Sequence, residues 1–149
     1  MSCPSCLAVF VGAAGLIATT QGRDASRSDH ELIQGRWEYV SVRFDGRPFA
    51  LEKGDHIVIS GRNWTIHRNK LIIKSRHTLD PTENPKHIDF VVERDGKTFE
   101  LKEIYRLEGD ELILCEPATP SSPRPTTFSA EKGEKQYLIV LKRGKREEE

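Results

Sequence analysis

The chain has little cysteine, no net charge and no long apolar run, and each shortage removes a class of protein. Three cysteines stand in 149 residues. Cys3 and Cys6 have the C-x-x-C spacing of zinc ribbons and thioredoxin-like sites, but no second pair or histidine partner comes after them, so they read as chance cysteines of an apolar leader. Without that leader only Cys115 remains, and no intramolecular disulfide can form. With 23 basic and 23 acidic residues the formal net charge is zero, so no global field favours nucleic acid or a membrane surface. No nucleophile with a neighbouring base, no paired acids and no Gly-rich cofactor loop is visible, so an enzyme is not expected and neither is a cofactor.

The one uncharged apolar run, Leu7 to Thr19, is too short to span a bilayer and suits the core of a signal peptide. Ala18, Thr19, Thr20 and Gly22 offer a cleavage region, although the segment before the run has no Lys or Arg. A leader over 1–22 implies an exported protein, periplasmic or secreted, that touches a membrane only if the leader stays uncleaved.

Beyond the leader the chain reads as a string of short strands. Ser28 with Glu31 three residues on fits a capping box, which predicts a turn or two of helix over 29–34, stopped by Gly35. Strand signals then recur over 37–44, 55–60, 63–67, 70–77, 87–93, 98–107, 111–115 and 136–143. Asp45-Gly46, Ser60-Gly61, Arg68-Asn69, Asp95-Gly96 and Gly109-Asp110 supply tight turns between them. Eight short strands in hairpins, with no helix long enough for a crossover, predict an all-β fold: an antiparallel up-and-down barrel over 28–143 with a short N-terminal helix, or else a two-sheet sandwich. Two proline-rich stretches, 79–85 and 116–128, read as loops that would rim any site. The tail 144–149 ends in a charge run and reads as solvated chain.

Several linked motifs then resemble a known family. Leu32-Ile33-Gln34-Gly35-Arg36-Trp37 with Asp45-Gly46, Leu79-Asp80-Pro81-Thr82 with Asn84-Pro85-Lys86-His87-Ile88-Asp89, Ile104-Tyr105-Arg106-Leu107 before Gly109-Asp110-Glu111-Leu112 and Cys115, and Arg124-Pro125 before Phe128 keep one order. That order is similar to an uncharacterised lipocalin-like family abundant in planctomycete bacteria, over residues 30–143. The resemblance implies a calycin-type barrel and brings no established activity. In such folds a tryptophan placed as Trp37, after Gly35, closes one barrel end, and a basic residue placed as Arg143 or Lys142 packs across its ring.

Strand alternation nominates the candidate site. Leu71, Ile73, Ser75 and His77 share one face, and so do Phe99, Leu101, Glu103, Tyr105 and Leu107. Glu103 on an apolar face must meet a cation or line a wet cavity; a bulge would turn it outward instead, and the expectation is an exposed or structurally satisfied carboxylate. In the first strand both faces carry large apolar side chains, so either a bulge switches faces or the N-terminal helix covers one side. His77, His87 and Asp89 invite a metal reading, but His87 and Asp89 fall on the outward face and no metal site is expected. Arg124 either clamps an anion or staples its loop to Asp80, Asp89 or a backbone carbonyl. Asp80 and Pro85 read as turn formers, and Cys115 as a small buried hydrophobe.

The function expected is a non-enzymatic, exported module that holds a small apolar or amphipathic ligand, with Trp64, Leu71, His77, Phe99, Glu103, Tyr105 and Arg124 as candidate contacts. The alternative is a structural or protein-interaction β domain with a filled core.

Overall fold

The computed structural model describes residues 27–145. The leader expected over 1–22 and residues 146–149 of the tail lie outside the described residues. The described chain starts with helix α1 (Asp29–Leu32), which has both arms of the capping box: Glu31 N donates to Ser28 Oγ and Ser28 N to Glu31 Oε2.

Nine strands come after it: β1 (Gly35–Phe44), β2 (Arg47–Pro48), β3 (His56–Ser60), β4 (Asn63–Arg68), β5 (Leu71–Asp80), β6 (Lys86–Arg94), β7 (Lys97–Glu108), β8 (Glu111–Pro117) and β9 (Gln136–Arg143). From β3 to β9 each pairs antiparallel with the next, β3 also pairs with β1, and β9 returns to β1. The result is a closed eight-stranded up-and-down barrel, with β2 as an extra two-residue ribbon on the end of β1. Closure leaves the barrel strands no free edge, which a sandwich would have had to protect.

Two strands run further than the turn chemistry suggests. β5 continues to Asp80 because Thr78, Leu79 and Asp80 pair with Asp89, Ile88 and His87. β8 continues through Glu116 to Pro117, opposite Tyr137 and Gln136; a proline at the last residue of a strand leaves the ladder before it intact. The β4–β5 turn is Asn69-Lys70, both at positive φ, one residue beyond the dipeptide the sequence suggested.

The first strand resolves its two-faced pattern with a bulge. Its register against β9 slips between Tyr39 and Ser41, leaving Val40 unpaired and exposed. Before the slip Trp37 and Tyr39 stand opposite Arg143 and Leu141; after it Val42 stands opposite Ile139 and is buried. One extra residue therefore moves the apolar set from odd to even positions while keeping it inside.

One end of the barrel is filled. Trp37 lies fully buried among Ile33, Ile88, Leu112 and Leu141, and its indole N–H donates to the Ile33 carbonyl at 2.8 Å. The Arg143 guanidinium sits 4.4 Å from the Trp37 ring centroid and donates to the carbonyls of Leu32 and Gln34 and to Asp110. Gly35 has φ 110°, a conformation that a side chain rarely adopts, and the Arg143 guanidinium passes beside it. Gly144 N donates to Arg36 O, so the chain is still tied one residue past the last strand.

A second apolar layer lies outside the wall. Ile104, Ile113 and Cys115 are buried on the outer face of β7 and β8, beneath the 118–135 connection, which contributes the buried Ala130. That connection is fastened by Cys115 Sγ to Ser129 O, by Gln136 to Thr127 O and Ser129 O, and by Gly46 N to Ala130 O. Cys115 is thus the buried hydrophobe expected, and burial pushes its thiol up to about 11, which keeps it protonated and unreactive.

Candidate functional site

Alternation along the strands decides what the lumen contains, and the end opposite α1 is not filled. There the barrel encloses a cavity of about 590 Å³. All eight barrel strands line it: Tyr39 of β1, Ile57 of β3, Trp64 and Ile66 of β4, Ser75 of β5, Phe90 of β6, Leu101 and Glu103 of β7, Leu114 and Glu116 of β8, and Ile139 of β9. Small-molecule sites run from about 300 to 1,000 Å³ and are mostly apolar with a few placed polar groups, which is the character of this wall. The rim is formed by the ends of β4, β5 and β6, where Arg68, Leu71 and Arg94 stand beside the tight turns Asn69-Lys70 and Asp95-Gly96.

The floor is aromatic and rigid. Trp64 packs edge-on against Phe90, with ring centroids 4.7 Å apart, and its indole N–H donates to His77 Nδ1 at 2.7 Å. The same Nδ1 lies 3.1 Å from the Arg62 carbonyl, and the buried Nε2 has no hydrogen-bond partner among the described residues. Burial pushes His77 down to about 4, while the nearby Arg62 carbonyl works in the other direction. His77 is therefore neutral at physiological pH and holds the tryptophan from below.

Two carboxyls face the lumen. Glu103 and Glu116 both line the cavity, on neighbouring strands, next to the opposed pair Ile104 and Cys115. Glu103 is 3% exposed and its side chain has no hydrogen bond or ion pair among the described residues. Burial raises it well above the usual carboxylate range, helped by the charges of Glu116 and Asp89 and opposed by Arg124. Burial also pushes Glu116 up to about 7, with Arg68 pulling the other way. The expectation of an exposed or satisfied Glu103 is corrected: no bulge intervenes in β7, so alternation carries its carboxyl inward.

The candidate contacts divide. Trp64, Leu71 and Glu103 line the cavity. His77 lies under Trp64 rather than at the cavity surface. Phe99 is exposed near the mouth end of β7 and does not line the lumen. Tyr105, two residues past Glu103 toward α1, reaches the filled end; its hydroxyl donates to Asp29 Oδ2 at 2.7 Å, and burial raises the phenol. Asp29 also accepts from Lys86 Nζ at 2.7 Å; burial works to raise its carboxyl, but these two donors outweigh it and hold it below its usual value. Arg124 sits outside the wall, with Nη1 2.7 Å from both Asp89 Oδ1 and the Glu103 carbonyl, so it is the loop staple and not an anion clamp. Asp80 caps its turn by accepting from the Thr82 N–H and hydroxyl, which lowers its carboxyl, and the Asn84–Pro85 bond is cis.

Of the two proline-rich stretches only Glu116, which belongs to β8, reaches the cavity, and neither loop rims it, which corrects that expectation. Residues 81–85 join β5 to β6 at the α1 end, and 118–135 lies against the outer wall. Tyr39, Phe90, Leu101 and Glu116 were missed. The signal was present for Glu116, which comes after Leu112 and Leu114 at spacing two, but its Glu-Pro context read as loop. Among the described residues no group of three or more His, Cys, Asp and Glu side chains is gathered in a way that could hold a metal ion. Comparison with protein-family models, with curated proteins and with solved structures finds no match for the chain.

Proposed function

We propose that the protein is a non-enzymatic binding module that holds a small amphipathic molecule in the open half of its barrel, and that it acts after export. The observation that carries this reading is the 590 Å³ lumen with an aromatic floor and two carboxyls on a mostly apolar inner wall. The apolar run of Leu7 to Thr19 supports export, and the linked motifs of residues 30–143 support kinship with the planctomycete lipocalin-like family. A filled-core interaction domain is less well supported, because side chains fill only the α1 end.

Native mass spectrometry of the protein purified from the exported fraction tests the reading, with the denatured mass measured alongside. The expected result is extra native mass that disappears on denaturation, on a chain shortened by its leader. A bare native mass, together with no uptake of an environment-sensitive apolar dye such as anilinonaphthalene sulfonate, would overturn it.

A further inference from the structure

The lumen is more selective than an apolar pocket, because two carboxyls stand on its inner wall while Lys74, Glu93 and Arg94 of its lining are exposed. Glu103 is only 3% exposed, faces the cavity and has no partner for its carboxyl among the described residues. Glu116 stands beside it on the same inner wall. Three cations also line the cavity, Arg68, Lys74 and Arg94; Lys74 and Arg94 are exposed, and the charge of Arg68 acts on Glu116. Arg124 lies behind the wall on Asp89 and on the Glu103 backbone carbonyl. Arg68, at the rim, is 3.9 Å from Asp55 and 5.7 Å from the centre of the Tyr39 ring. The Asp55 carboxylate is held in turn by the N–H groups of Asn69 and Glu52. β6 brings Phe90 and Val92 and, at the rim, the exposed Glu93 and Arg94, the latter 3.8 Å from Asp95; β5 brings Ser75 and the exposed Lys74; β3 and β9 bring Ile57 and Ile139. A buried carboxyl without a partner is costly, and one that persists at the wall of a cavity is matched by whatever fills that cavity.

Resting on the lumen-binding reading, we propose that the preferred occupant is an amphiphile whose polar end is an organic cation, an ammonium or quaternary ammonium group. The cation lies between Glu103 and Glu116 and near the faces of Trp64, Phe90 and Tyr39, with its apolar part in the remaining lumen. Aromatic faces attract such cations by about 0.5–2 kcal/mol, and the two carboxyls supply the opposite charge. An anionic headgroup between the two buried acids meets like charge, the lining cations standing at the rim or exposed, so the site disfavours fatty acids there by charge. When the lumen is empty the pair keeps a proton; an arriving cation displaces it.

The test uses three probes with the same ten-carbon chain, decyltrimethylammonium, decanoate and decanol, titrated below their aggregation limits against the purified protein and followed by calorimetry. The quaternary charge is independent of pH, so any pH dependence of that probe belongs to the protein. The expected order at pH 8 is decyltrimethylammonium tightest, by about tenfold or more over decanol, and decanoate weakest. The advantage should shrink at pH 5.5, where Glu116, at about 7, is protonated. Glu103→Gln and Glu116→Gln should each erase most of the advantage while decanol binding stays the same, which also shows that the lumen of the variants is intact. Equal or tighter binding of decanoate, or an ammonium preference that both variants retain, would overturn the cation proposal and leave a binding lumen standing. Binding of none of the three would overturn the lumen-binding reading as well.

Discussion

The two ends of the barrel are built from the same strands and obey opposite rules. At the α1 end the polar atoms around Trp37 are matched: Trp37 donates to Ile33 O, Arg143 gathers two carbonyls and Asp110, and Tyr105 and Lys86 share Asp29. At the other end the inward residues leave a cavity, two carboxyls face it, and apolar side chains at the mouth are exposed, Leu71 at 64% and Ile72 at 62%. Such a division is what a binding scaffold requires, because a rigid, satisfied base lets the opposite end carry unmatched groups without unfolding.

The contrast can be broken most severely at Trp37. Trp37→Ala should cost about 3–5 kcal/mol in urea unfolding, since the ring is fully enclosed and its removal also orphans the Ile33 carbonyl. Arg143→Met should cost less, about 2–3 kcal/mol, by leaving the Leu32 and Gln34 carbonyls without their donor and removing the charge from the Trp37 face.

At the open end the expected change has the other sign. Glu116 titrates at about 7 in the folded protein, above an ordinary carboxyl, so the folded state binds the extra proton between the two values. Its contribution is fully present at low pH and is lost as pH rises through about 7. Glu116→Gln should therefore be more stable than the parent at pH 8, by about 1 kcal/mol, with the difference closing below pH 5. His77, buried neutral, gives the opposite slope as pH falls from 6.5 toward 4. That slope is common to both proteins and cancels in their difference. A destabilised Glu116→Gln at pH 8 would mean that the carboxylate is already paired. The smallest expected effect is at the mouth, where Leu71→Ser should change stability by less than about 0.5 kcal/mol, because the side chain is already mostly in water.

Much of this architecture was legible because local rules and tertiary structure agree. Ser28 and Glu31 announced the helix start, and period-two alternation put Leu71, Ile73 and Ser75 on one face and Phe99, Leu101 and Glu103 on another. Where a position along the strand mattered, the same alternation misled. It cannot distinguish Glu103, at the height of the cavity, from Tyr105, at the height of the plug, or from Phe99, near the mouth. Proline misled in a different way. The Glu116-Pro117 pair reads as loop, but Pro117 ends β8 without interrupting it, so Glu116 completes the inner face of Leu112 and Leu114.

The sequence by itself determined the eight barrel strands, the capped helix and the inward set of most strands, since these depend on turn chemistry and alternation acting over a few residues. Tertiary structure alone decided the bulge at Val40, the folding of the 118–135 connection onto the outer wall, and the meeting of Glu103 with Glu116. Those depend on how far along the barrel axis each residue sits when β9 closes on β1, and closure is a property of the whole sheet that no single strand encodes.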